Sequence, residues 1–89
     1  MRVGSYQIGR YHGILRKDYE DGTHDYETRF TDEADIYESL RAVKSCVGKT
    51  VGTATEQPRV LTGVSLIRGK EAIEKELLGF RKRGEEDGF

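Results

Sequence analysis

Cysteine occurs once in this chain, at Cys46. A single thiol forms no internal disulfide and has no second cysteine with which to frame a zinc site, so it suits a reducing compartment and reads as a small buried hydrophobe. Proline also occurs once, at Pro58, and no serine-rich or low-complexity stretch is present, so the bias that keeps a chain from folding is missing. No apolar run approaches the roughly 20 residues that a membrane-spanning helix needs, and the opening "MRVGSYQIGRYHG" lacks the apolar stretch of a signal peptide. These absences exclude a disulfide scaffold, a disordered chain and a membrane span, and they point to a folded cytoplasmic domain.

What is present is charge. Apolar and charged residues each make up 35% of the 89, so the core is modest; a domain of this size buries only about 60 to 65% of the surface its unfolded chain exposes. No internal repeat and no long linker divides the chain. The expected organisation is one α+β domain over residues 1–84 followed by a frayed acidic tail, 85–89.

The hydrophobic period changes along the chain in the order strand, strand, helix, strand, helix (ββαβα). "VGSYQIGRYHGIL", from Val3, mixes aromatic and branched residues with glycines and suits a bent or bulged strand. The pair Asp21 and Gly22 between "ILRKDY" and "HDYETRF" is a hairpin signal, because glycine accepts positive φ and aspartate tolerates it. A three-residue loop would set Ile14 near Phe30 and Lys17 near Glu27. Asp32 offers an N-cap, and Ile36, Leu40, Val43 and Val47 then recur as one helical stripe ending at Gly48. "RVLTGVSLI" reads as a central strand covered on both faces. "KEAIEKELLGFRKR" is a second amphipathic helix with Ile73, Leu77 and Phe80 on one side. Both helical stripes are expected on one face of an antiparallel or mixed sheet, and residues 50–56 as a loop or weak edge strand.

Catalytic and ligand motifs fail on spacing. "SCVGKT" ends like a phosphate-binding loop, but Val43 stands where the pattern needs a glycine. Counting back from Gly22, Lys17 and Tyr19 stand where a calcium loop needs oxygen ligands. His12 and His24 have no neighbour at metal-pair or nucleophile–base spacing. Asp18, Asp25 and Glu27 could approach one another across the hairpin, yet exposed acids there lack the raised pKa of a general acid, and the chain has little room for a deep pocket. No cofactor, no metal and no enzymatic activity are expected.

Charge is polarised along the chain. Residues 1–17 sum to +4, residues 18–38 to -8, residues 39–83 to +6 and residues 84–89 to -3. The negative lobe interleaves carboxylates with tyrosines, which supply rigid contact area while the acids steer toward a basic partner. The first reading is therefore a protein–protein interaction module that presents Asp18, Tyr19, Glu20, Asp21, Asp25, Tyr26, Glu27, Asp32, Glu33 and Tyr37 to a basic protein. Acid interleaved with tyrosine can imitate a nucleic-acid backbone, and small phage or mobile-element inhibitors often act so. That is an analogy of kind, with no family motif behind it. The second reading is a nucleic-acid-binding module using Arg10, Tyr11, Arg16 and Lys17 on the first strand and Arg81, Lys82 and Arg83 at the end of the last helix. The third is a homodimer or other homo-oligomer formed through an exposed sheet edge.

Overall fold

In a computed structural model, described here over residues 1–52 and 57–87 with side chains to Leu78, eight elements follow one another. They are β1 (Arg2–Val3), β2 (Tyr6–Gln7), β3 (Gly13–Tyr19), β4 (His24–Glu27), α1 (Glu33–Lys44), β5 (Thr50–Val51), β6 (Arg59–Arg68) and α2 (Lys70–Asp87). The first strand expected from the sequence is thus two units. A small hairpin, β1 with β2, precedes β3, which enters an antiparallel four-stranded sheet of order β4-β3-β6-β5. The class is α+β, and β6 is central, as its apolar run implied. The short β5 supplies the weak edge strand; positions 53–56 lie outside the described residues, as do the side chains of Phe80, Arg81, Lys82 and Arg83. Of the expected tail, only the helix backbone to Asp87 is described.

Successive side chains on a strand point to opposite faces, and β3 carries two adjacent residues, Ile14 and Leu15, that are both wholly buried. Ile14 packs with Val3, Ile8, Ile73 and Leu77, and Leu15 packs with Phe30 and Ile36. One face is therefore covered by α2 and the N-terminal hairpin, the other by α1. This corrects the expectation that both helices share a face. β6 follows the same alternation: Ile67, opposite Ile14, joins the α2 side, while Leu66, opposite Leu15, and Val64 join the α1 side. Both faces of β6 are covered, although only Leu61 in it is fully buried.

Helix α1 starts where its cap predicts. The Asp32 carboxylate accepts a 2.8 Å hydrogen bond from Asp35 N, and Asp35 in turn accepts from Thr31 N, which satisfies donors that the first turn leaves open. The helix ends at Lys44, capped by Ser45, earlier than the Gly48 stop expected. Gly48 N donates to Leu61 O and Leu61 N donates to Lys49 O, so β6 takes hold of the chain and draws it off the helix axis. The apolar stripe therefore degrades along its length: Ile36 is buried, Leu40 and Val43 are half-buried, and Val47 is 42% exposed.

Hairpin β3–β4 has the expected three-residue loop, shifted by one position. Lys17 pairs with Asp25 and Asp18 with His24, with Tyr19 N donating to Thr23 O, so the loop is Glu20–Asp21–Gly22. Gly22, at φ 89°, supplies the left-handed residue that a three-residue loop requires at its third position. That requirement sets the register two residues from the one expected, so Ile14 does not face Phe30 across the ladder. The faces are unchanged because the shift is even. Gly9 is a second position closed to a side chain, since a Cβ there would run into the Phe30 backbone.

Ile36→Ala and Ile73→Ala should each lower the free energy of unfolding by about 2 to 5 kcal/mol, and Val47→Ala should change it by no more than about 0.5 kcal/mol. Urea denaturation of the three variants checks both halves; equal losses at Ile36 and Val47 would contradict the depth assigned to the stripe.

Candidate interaction site

The two faces of the hairpin carry two separate polar networks. On the α2 side, Arg16 Nε donates to Asp18 Oδ1 at 3.0 Å and Arg16 Nη1 donates to Glu76 Oε2 at 2.8 Å. The Tyr26 hydroxyl donates to the same Glu76 oxygen at 2.7 Å. Burial opposes ionisation of Glu76, but the bonds from Tyr26 and Arg16 outweigh it and hold the carboxyl below its ordinary range. Burial, reinforced by the bond to Glu76, pushes the Tyr26 phenol up to about 12. Tyr6 and His24 pack edge-on against Tyr26, at ring-centre distances of 5.6 and 5.1 Å.

On the α1 side, the Arg59 guanidinium lies 3.8 Å over the ring of Tyr19 and donates to Asp25 Oδ2 at 2.8 Å and to Thr23 Oγ1 at 3.2 Å. The Tyr19 hydroxyl also donates to Asp25 Oδ2. Lys17 lies 3.7 Å from Glu27. Beside this network is an open groove of about 410 Å³ between the hairpin, β5, β6 and the uncovered end of α1, with Val43, Cys46, Val51 and Leu61 among its walls. Its size falls within the range of ligand and side-chain pockets, and its apolar wall is the part of the α1 stripe that the sheet leaves open.

The ten-residue acidic surface read from the sequence is not one surface. Asp32, Glu33 and Tyr37 sit by Arg68, which pairs with Gly13 at the far end of β3 from the turn. Seven residues of strand put roughly 20 Å between the two acidic poles. Most of the acids are also spoken for: Asp18 by Arg16, Asp25 by Arg59, Glu27 by Lys17, Glu33 by Arg68 at 3.9 Å, and Asp32 by its capping role. Tyr19 is 7% exposed, Tyr26 is half-buried, and Tyr37 accepts from Arg68 Nη1. Glu20 and Asp21 stand exposed at the turn, where hydrogen bonds from the Thr23 hydroxyl and amide hold the Asp21 carboxyl below its usual range.

The basic set is dispersed as well. Arg10 is exposed, Tyr11 is half-buried against the α1-side core, and Arg16 and Lys17 are paired internally. The buried Tyr11 hydroxyl makes no hydrogen bond of standard geometry, although it lies close enough to Arg68 to favour its charge. Sequence reasoning missed Arg59 and Glu76, the partners that organise both networks. Arg59 and Asp25 are 34 residues apart, and Arg16 and Glu76 are 60 apart, so only strand pairing and helix placement bring them together.

Among the described residues no cluster of His, Cys, Asp and Glu is arranged to hold a metal ion, and no helix is long and apolar enough to cross a membrane. Comparison with protein-family models, with curated proteins and with solved structures finds no match.

Tyr26 should ionise well above its ordinary range, at about pH 12. Its proton is held more tightly folded than unfolded, so its contribution to stability is full below pH 10, its ordinary value, and is lost as pH rises through about 12. Ultraviolet titration of the phenolate band in the parent and in Tyr26→Phe should assign a step at about pH 12 to Tyr26, and Glu76→Gln should move that step earlier. A late step unchanged by Glu76→Gln would refute the assignment.

Proposed function

We propose that this protein is a non-enzymatic interaction module that docks the turn of its β3–β4 hairpin on a basic protein surface in the cytoplasm. The observation that supports this most is the placement of the exposed Glu20 and Asp21 at a turn whose backbone is pinned by Thr23 and by Glu20 N donating to Val60 O. A rigid acidic tip loses little freedom on binding and steers toward cations over a distance set by salt. The working surface is narrower than the acidic lobe of the sequence: Glu20 and Asp21, since Asp25 is engaged by Arg59 and Tyr19. A nucleic-acid-binding protein is the natural basic partner for such a tip, and inhibition of one, in the manner of small phage or mobile-element proteins, is the role it would serve. The basic side chains of β3 favour the nucleic-acid reading less, because Arg16 and Lys17 are engaged by Glu76, Asp18 and Glu27.

Glu20→Lys together with Asp21→Lys should leave the circular dichroism spectrum unchanged and weaken capture of the partner by about tenfold or more, with the larger loss at low salt. Affinity capture with parent and variant baits, followed by titration of the captured protein, measures this. Equal affinity for both baits would refute the docking surface. In parallel, mixed-sequence single-stranded DNA should show no anisotropy change at about 0.15 M salt, and binding there would move the assignment to the nucleic-acid reading.

A further inference from the structure

The fold leaves one edge of the sheet open. β6 pairs with β3 along its length, but on its other side β5 meets it only at Arg59 and Val60, and Gly48 and Lys49 bond Leu61. From Thr62 to Arg68 no strand lies on that side among the described residues. Peptide groups of successive residues in an antiparallel strand point to alternate sides. Gly69 N donates to His12 O on the β3 side, so the N–H and C=O groups of Val64, Leu66 and Arg68 point outward. The opposite edge is treated differently: past β4, Thr28 O and Phe30 O accept from Gly9 N and Tyr11 N, so the chain itself closes that side. Open edges are commonly blunted by proline, lysine, inward charge or a bulge. Residues 62–67 carry no proline and no charge, Arg68 is drawn back to Tyr37 and Glu33 of α1, and the register shift beside Tyr19 lies at the β5 end of the gap.

Outward peptide groups of this kind accept an extended strand, and the bounds of the gap select which one. Lys49 and Thr50 already occupy the edge at one end; at the other, Gly69, with φ 94°, turns the chain out of the sheet. A second Thr62–Arg68 laid antiparallel fits between those bounds, because its own Gly69 leaves the sheet where the first copy's β5 side begins. The midpoint of the gap is Ser65. Pairing about it sets Val64 opposite Leu66, so that their outward groups meet as a hydrogen-bonded pair, and sets Ile67 opposite Gly63. Directly opposed residues share a face. Val64 and Leu66 are half-buried on the α1 side, and beside Gly63 there is room for Ile67, since an added Cβ there meets nothing within 4 Å. Ser65, exposed and uncharged, meets itself on the axis. A two-fold contact has to carry both halves of its complement, and this strand does. We infer that the protein forms a two-fold dimer in which β6 of two copies pair antiparallel about Ser65, joining two four-stranded sheets into one. The contact uses neither Glu20 nor Asp21, so it is independent of the acidic tip.

Sedimentation velocity of the purified full chain, from about 1 µM to about 1 mM, the span from standard to weak association, tests this without any partner. The parent should pass from monomer to dimer and stop there. Ser65→Lys sets two like charges against each other on the axis, and Gly63→Lys fills the space that Ile67 needs; each should raise the dimer dissociation constant at least about tenfold, with circular dichroism confirming the fold. The arm that fixes the register is an equimolar mixture of Ser65→Lys with Ser65→Glu, which should associate more tightly than either variant alone. Amide exchange followed by nuclear magnetic resonance locates the contact: the amides of Val64 and Leu66 should slow as the protein is concentrated, whereas those of Ser65 and Ile67, which face β3, should not change. A parent that stays monomeric throughout or grows beyond a dimer, a mixture no tighter than its components, or exchange at Val64 and Leu66 that ignores concentration would each overturn the inference.

Discussion

Two adjacent side chains on β3 set the plan of this molecule. Ile14 and Leu15 are both fully buried, and because neighbours on a strand face opposite ways, neither can be covered by the element that covers the other. The chain therefore places α2 and the β1–β2 hairpin on one side and α1 on the other, with the sheet between two small cores. A domain of 89 residues has little apolar surface to divide, and each side receives a small core. The α2 side holds Val3, Ile8, Ile14, Ile73 and Leu77 in one cluster, whereas the α1 side holds Leu15, Phe30 and Ile36 in one cluster with Tyr19 and Leu61 buried beside the groove. The groove opens where the stripe of α1 runs out to half-buried Val43.

The same division explains the acidity of the hairpin. A hairpin lying between two layers has to present polar side chains to both, and arginines reaching over from β3 and β6 need counter-charges. Asp25 and Tyr19 hold Arg59 on one face; Glu76, Tyr26 and Asp18 hold Arg16 on the other. Hydrogen-bonded pairs of this kind orient side chains more than they stabilise a fold when partly exposed, and here one network ties the hairpin to β6 and the other ties it to α2. The charge left over for a partner is small and local, at the turn.

The local signals of the sequence were the legible ones. Asp32 followed by an apolar stripe marked the start of α1 because a cap and a 3.6-residue period act within one or two turns. Asp21 and Gly22 marked the hairpin for an equally local reason. The readings that went astray needed distant information. The register slipped by two because the pattern alone did not say which loop position the glycine would take. The two helices were placed together because helix periodicity says which side is apolar and not which sheet face it meets; the adjacent buried pair at Ile14 and Leu15 carried that answer. The acidic lobe read as continuous because sequence adjacency hides the length of the strands between its parts. Neither Arg59 nor Glu76 could be named before strand order and helix placement were known.

The central claim is that β3 separates two cores, one on each face of the sheet, and a pair of double-mutant cycles tests it most directly. Ile14→Ala should couple to Ile73→Ala by about 0.5 to 3 kcal/mol, as touching residues do, and should add to Ile36→Ala within about 0.5 kcal/mol, as separated sites do. Coupling of Ile14 to Ile36 as strong as its coupling to Ile73 would mean one continuous core, and would contradict the layered arrangement on which the groove and both polar networks depend.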